Sequence, residues 1–212
     1  MKVLMVNGSS NKKGCTYTAL SEIGKTLNEN GVDYEIFDLG GQPVRDCIGC
    51  NQCKGNGCIF PDNRVNEFLE LAKQADGFIF GSPVYFAHPS GRLLSFLDRA
   101  FYSCSQNHIY VPFVGKPAAA IVSARRGGTT ASVDVLNKYF TIASMPIVSS
   151  TYWNMVHGQT PEDVLQDLEG LQIMRNIGRN MAHMLKCFEL SKQQGIPAPQ
   201  LENTYQTNFI HS

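Results

Sequence analysis

Charge of one sign is the first thing this sequence lacks. Its 18 Lys and Arg residues offset 18 Asp and Glu among 212 residues, and a balanced chain offers no field to nucleic acid or an anionic membrane. Neither is expected as a partner. Long apolar runs are missing as well: none approaches the roughly 20 residues of a membrane span. Behind Met1 and Lys2 stand only four apolar residues, Val3 to Val6, too few for a signal peptide. The expected compartment is the cytoplasm. That compartment keeps thiols reduced, so the seven cysteines are not expected in disulfides. There is no internal repeat and no low-complexity segment. With 43% hydrophobic residues, the chain supports one domain with a full core. That domain is expected over residues 1–194, with a cysteine-rich loop at 43–61 and an extended tail at 195–212.

What is present begins at the first strand. Val3-Leu4-Met5-Val6 is a short apolar run typical of a strand buried on both faces. It breaks at Asn7-Gly8 into a polar stretch, and a helical pattern starts at about Thr16, with Leu20, Ile23 and Leu27 as its stripe. The first N–H groups of a helix lack internal partners and the helix dipole favours negative charge there. Ser9, Ser10, Asn11, Thr16 and Thr18 can add donors to a phosphate. The alternative is an ordinary strand-to-helix turn. Gly14 is followed by Cys15 rather than by Lys-Ser or Lys-Thr, so this is no Walker loop, and Gly8 and Gly14 stand alone, so it is no dinucleotide fingerprint. A mononucleotide phosphate, such as that of flavin mononucleotide, fits better.

Further strands are expected at Tyr34–Phe37, Gly77–Gly81 and Ala118–Val122, with a fifth beginning at Pro146–Val148. Helices alternate with them. Asp62 is the expected cap of one, Pro89 suits the first turn of another, and Thr160-Pro161-Glu162-Asp163 starts the last. That last helix repeats apolar residues at Val164, Leu168, Leu171, Met174, Ile177, Met181, Met184 and Phe188, a stripe for core or subunit contact, and Gly170 and Gly178 within it weaken it locally and permit close packing. Trp153-Asn154-Met155 is a candidate subunit contact. Alternating strands and helices predict an α/β fold, a five-stranded parallel sheet wound on both faces. Ligands of such sheets sit beyond the carboxyl ends of the strands.

Three loops leave those ends. The second, Pro83-Val84-Tyr85-Phe86, offers an aromatic lip to a planar isoalloxazine ring, against an alternative role in core packing. The third, Ser123 to Thr130, offers backbone donors and the cations Arg125 and Arg126 beside Gly127. Positive charge near the pyrimidine edge favours a reduced, anionic flavin; the alternative is a solvated loop. His88 and His157 are candidates for proton delivery or a subunit contact, with a structural role as the alternative.

Cys47-x-x-Cys50-x-x-Cys53-x4-Cys58 places four thiols within 12 residues. Three cysteines at steps of three with a fourth soon after match the run that holds a four-iron cluster. Zinc also takes four thiolates, usually from two separated knuckles, and bare thiols are the remaining alternative. Cys58 and Arg64 mimic the Cys-x5-Arg spacing of a phosphatase, without the glycine-rich loop that chemistry requires.

From Met1 to about Phe188 the chain resembles the flavodoxin-like NAD(P)H-dependent FMN reductase superfamily, in its iron–sulfur flavoprotein branch. The resemblance is carried by GSSNKKGCT, CIGCNQC, GSPVYFAHPSGRLLSFLDRAF and SARRGG. It implies strand order 2-1-3-4-5 and FMN, with the phosphate on Ser9, Asn11 and Thr16 and the ring on Pro83 to Phe86 and on the loop around Ser123 to Gly127. Cys15 departs from the pattern, which often has Asn there; its thiol is a weak substitute donor. The resemblance further implies a four-iron four-sulfur cluster on Cys47, Cys50, Cys53 and Cys58, electrons from NAD(P)H or a reduced carrier, an acceptor not named by the motifs, and a homodimer or homotetramer. A non-enzymatic flavodoxin-like carrier and a zinc-stabilised binding protein are the rival functions.

Overall fold

A computed structural model describes residues 1–53, 55–61, 64–106, 109–205 and 207. Strand β1 (Lys2–Asn7) is central. It pairs in parallel with β2 (Asp33–Asp38) on one side and β3 (Gly77–Tyr85) on the other. Beyond β3 lies β7 (Ala118–Ala124), and beyond that β8 (Met155–His157), both parallel. The order β2-β1-β3-β7-β8 is the expected 2-1-3-4-5 arrangement of five parallel strands. Two short hairpins are added: β4 (His88–Pro89) folds back on the end of β3, and β5 (Ser105–Gln106) pairs β6 (Ile109–Tyr110).

The period-two alternation of each strand divides the core. Leu4, Val6, Phe78, Phe80, Ala118, Ala120 and Val122 face α2 (Arg64–Lys73), α3 (Gly91–Cys104) and α4 (Thr129–Ile142). Val3, Met5, Ile79, Ala119 and Ile121 face α1 (Cys15–Glu29), α5 (Pro161–Gln166) and α6 (Leu168–Gln193). The first layer is aromatic: Phe68 meets Phe37, Phe78, Phe80, Phe96 and Phe113. The second is aliphatic and close. A Cβ on Gly178 of α6 would lie 2.9 Å from Thr26 Cβ of α1, so glycine sets the approach of those two helices. Among the described residues no helix is long and apolar enough to cross a membrane.

Three expectations are corrected. Pro146–Val148 makes only a single bridge, Ile147 to Ala118, and the fifth strand of the sheet is β8. Between them the run at 149–153 leaves the ladder, and polar side chains in and beside it bond backbone. Ser150 Oγ donates to Ile173 O at 2.9 Å, and buried Asn154 donates to Val148 O at 3.3 Å. Consequently, of the trio proposed as a subunit contact, Asn154 and Met155 are buried and Trp153 alone is exposed, edge-on to Tyr152. Pro89 sits in β4, not in a helix. Ser90 caps α3 one residue later, its hydroxyl accepting from Leu93 N at 3.3 Å. The last helix is two. Asp167 turns out of the helical path to accept from Gly170 N at 2.9 Å and from His157 N at 2.6 Å, capping α6 while anchoring the end of β8. Leu168 and Phe188, counted in the apolar stripe, are exposed. The proposed Asp62 cap lies outside the described residues.

Because Asp167 serves both α6 and β8, Asp167→Ala is expected to lower unfolding free energy by about 1–3 kcal/mol. An unchanged midpoint in urea denaturation would contradict this.

Candidate functional site

The loop after β1 is built by its own polar side chains. Buried Asn7 donates to Asp38 Oδ1 at 2.7 Å and accepts from Ser9 N at 3.2 Å. Ser9 Oγ accepts from Asn11 N at 3.1 Å, and Asn11 Oδ1 from Lys13 N at 3.3 Å. Gly8 pins the loop to the neighbouring strand: its N–H donates to Gly81 O at 2.8 Å. A Cβ on Gly8 would lie 2.7 Å from that oxygen and 2.9 Å from Leu93 Cβ. The loop delivers the chain to Gly14, which starts α1 with no side-chain cap and no acid in the first turn. The contrast with α5 is instructive. There Thr160 and Asp163 form a reciprocal capping box, and Glu162 and Asp163 supply negative charge. The start of α5 is internally satisfied, whereas that of α1 receives no side-chain cap.

The second loop is a two-residue hairpin with Phe86 and Ala87 at its tip, at φ +51° and +59°. Both lie in the left-handed region that ordinarily takes Asn-Gly in such turns. Strained backbone of this kind persists where the surroundings hold it and clusters at functional sites. Here Gly128 of the third loop packs against it: a Cβ at Gly128, itself at φ +88°, would fall 2.4 Å from Ala87 Cα. Phe86 is wholly exposed and Tyr85 about half. Core packing for these two rings is thereby excluded.

Ser90 binds the loops together, donating to Gly8 O at 3.1 Å while its N–H donates to Ser82 Oγ at 2.9 Å. Thr16 and Ser123, both buried, share a hydroxyl–hydroxyl bond of 2.9 Å, which joins the α1 start to the end of β7. His157 Nε2 lies 3.1 Å from Arg126 O, so with its proton on that nitrogen it holds the third loop from behind.

The cysteine loop hangs over α3. Arg92 of α3 donates to the carbonyls of Gly40 at 2.6 Å and Gly41 at 3.3 Å, and also to that of Gln42. Ser95 bonds Asp46, and Tyr102 bonds Asn51. None of the seven cysteines is in a disulfide. Cys53 is buried; its thiol is pushed up first by burial and then by the proximity of Cys58, Cys50 and Cys47. Among the described residues no three His, Cys, Asp or Glu side chains converge as a ready-made metal site. Burial pushes Cys104 up to about 12, so that thiol stays protonated and structural. The phosphatase resemblance is excluded: Arg64 bonds Asp38 O and Glu67 and lies 4.2 Å over the Phe37 ring.

Residues 1–160 match the family model described as NADPH-dependent FMN reductase. The chain belongs to this family. It is similar to an iron-sulfur flavoprotein of Methanocaldococcus jannaschii, 33% identical over 197 residues that cover 88% of this chain and 98% of the relative. It is also similar to an FMN-dependent NADPH-azoreductase of Staphylococcus saprophyticus, 37% identical over 101 residues, 46% of this chain and 51% of the relative. Among solved structures, a flavodoxin from the domain Archaea aligns with a TM-score of 0.57 at 16% identity, covering 88% of this chain and 99% of that one, a likeness of fold.

In this FMN reductase family member the three expected loops do meet at one edge of the sheet. Ser10 and Asn11 are exposed on the first, and Ser9 and Thr16 are buried beneath it. Pro83 and Val84 are half-buried under the exposed Tyr85 and Phe86, and Arg125, Arg126 and Gly127 are exposed on the third. Cys15 stands apart. Its Sγ donates to Gly158 O at 3.7 Å, away from the loop donors, and burial raises its pKa. Roles for Asn7 and Ser90 are not among the sequence expectations. A serine just after Pro89, three residues before an apolar helix position, was the readable signal for Ser90.

Gly8→Ala is expected to separate β1 from β3 at the loop, costing roughly 1–3 kcal/mol by overpacking. Flavin affinity should fall with it; wild-type stability and affinity in this variant would contradict the close approach.

Proposed function

We propose that this chain is an FMN-dependent oxidoreductase that takes electrons from NAD(P)H and passes them to an acceptor through a four-iron four-sulfur cluster on Cys47, Cys50, Cys53 and Cys58. The observation that carries the reading is the start of α1: a helix N-terminus without cap or acid, beside an exposed aromatic hairpin tip. A phosphate and a flat ring are what such a cradle accepts.

The residues divide the work as follows. The first-turn N–H groups of α1 bind the phosphate, with Ser9, Ser10 and Asn11 as further donors, and Thr16 and Ser123 fix the spacing of the two loops. Pro83 to Phe86 orient the ring, and the Ser123–Gly127 backbone meets its polar edge. Arg125 and Arg126 place positive charge there and favour reduction. Cys15 is not assigned a phosphate contact, since its thiol is engaged with Gly158. Bound FMN supplies the redox chemistry itself.

The cysteine donor set is of the type an iron–sulfur cluster takes, four thiols on one glycine-rich loop with Gly49, Gly55 and Gly57 all at positive φ, and its side chains would have to draw together to hold one. Such a cluster supplies one-electron capacity. Support comes from the similarity, along nearly the full length of both chains, to an iron-sulfur flavoprotein. The azoreductase's NADPH supports the choice of donor.

Anaerobic stopped-flow mixing with NADPH and with NADH tests the enzyme reading. Rapid bleaching of flavin absorbance by one of them is expected; none with either would make the chain a carrier. Phe86→Ala should weaken FMN binding by about 1 kcal/mol, roughly five-fold, as measured by fluorescence titration. An unchanged Kd would remove the ring from the site.

A further inference from the structure

The third loop has little of its own to hold it. Between Ala124, which ends β7, and Gly128, which precedes α4, the three residues Arg125, Arg126 and Gly127 are exposed. Among the described residues one hydrogen bond reaches this apex, from His157 Nε2 to Arg126 O at 3.1 Å. The acceptor is a carbonyl, so the proton is on Nε2. The other ring nitrogen, Nδ1, lies 3.8 Å from Asp167 Oδ2. Both nitrogens face protein groups. The ring is a strut between the carboxylate that caps α6 and the loop apex, and proton delivery to a ligand is not the role this geometry serves.

The base of the strut is held on every side. His157 N donates to Asp167 Oδ2 at 2.6 Å, and Gly170 N holds the other oxygen at 2.9 Å. Val156, one residue earlier, is fully buried. Gly158, one residue later, donates to Ala124 O at 3.0 Å and accepts from Cys15 Sγ at 3.7 Å. A Cβ on Gly158 would lie 2.8 Å from Val164 N and from Val164 Cγ2, so α5 closes the space behind it. Residues 157 and 158 thus touch the third loop, the first residue of α1 and the start of α6. The sheet itself asks nothing of the imidazole, because the β7–β8 register is completed by the backbone at Ala124 and His157.

We infer that His157 is a positioning residue for the flavin: by fixing and polarising the apex of the third loop it tightens FMN binding and raises the flavin's reduction potential. The inference rests on the flavin reading above, in which the Ser123–Gly127 backbone meets the polar edge of the ring. The Arg126 carbonyl and the Gly127 N–H are the two ends of one peptide group. A hydrogen bond donated to the oxygen draws electron density towards it and makes the N–H at the other end a stronger donor. A loop held in place before the ligand arrives also costs less to order on binding. Reduction adds negative charge at the pyrimidine edge, so the stronger donor favours the reduced flavin over the oxidised one.

The test uses the full-length protein, stripped of flavin and titrated with FMN, as wild type, His157→Phe, His157→Gln and His157→Asn. Fluorescence quenching gives the FMN Kd, anaerobic titration against redox dyes gives the flavin midpoint, and circular dichroism reports folding. Phe keeps a flat ring without a donor. The Gln amide carries an N–H to about the place of Nε2, and the Asn amide stops short of it. In His157→Phe and His157→Asn the Kd is expected to rise about five-fold. Their reduced-to-oxidised flavin ratio at fixed potential should fall about ten-fold, about 30 mV for a two-electron couple. His157→Gln should recover most of both. Wild-type Kd and midpoint in the Phe and Asn variants would overturn the inference. Equal losses in the Gln and Phe variants would also overturn it, since ring packing and not the donor would then be what matters. If His157→Phe fails to fold, the comparison of Asn with Gln decides by the same criteria. Wild-type protein that takes up no FMN would refute the flavin reading itself, whereas normal uptake with unaltered variants refutes this inference alone.

Discussion

The first turn of α1 is the constraint around which this molecule is arranged. Among the described residues no side chain caps it and no acid stands in it, although α5, starting beside it, has both. Helix N-terminal amides are expensive to leave unmatched when water is excluded, which is why the proposed function seats a phosphate there. Asn7, Ser9 and Asn11 spend their hydrogen-bonding capacity on building that shape. The Gly8–Gly81 contact locks the loop to the adjacent strand, and the Thr16–Ser123 bond locks it to the next.

From that edge the organisation passes outward through α3. Ser90 at its start ties the first two loops together, and Arg92, Ser95, Arg99 and Tyr102 along it hold the cysteine loop. A segment between 40 and 61 whose described residues form no regular secondary structure is thereby attached at many points to one rigid element. A single helix thus contacts both the three-loop edge and the cysteine loop and sets their separation. The strained Phe86-Ala87 tip belongs to the same economy of parts: the contact with Gly128 holds in place a backbone that would otherwise relax.

Much of this was legible in the sequence. Uninterrupted apolar runs such as Val3–Val6 identify central parallel strands, since both of their faces are covered. The CIGCNQC spacing and the three polar loops announce their chemistry by residue type alone. Less legible were features decided by contacts between distant segments. Pro146–Val148 has the composition of a strand, yet it makes a single bridge and Met155–His157 forms the sheet's fifth strand. Asp167 looks like an interior residue of one long helix until His157 N and Gly170 N supply its partners. Cys15 reads as at most a weak phosphate donor, and its contact with Gly158 O, 143 residues away, is one that no local pattern announces. Local pattern reveals elements, and long-range hydrogen bonds decide where they end and which way their side chains turn.

The central claim is that α1 receives a phosphate. Its most direct measurement is a comparison of FMN with riboflavin, which has the same ring and no phosphate, in titrations of flavin-free protein. Loss of two charge-assisted hydrogen bonds, roughly 3 kcal/mol, predicts FMN binding about a hundred-fold tighter. Equal affinities for the two flavins would contradict it.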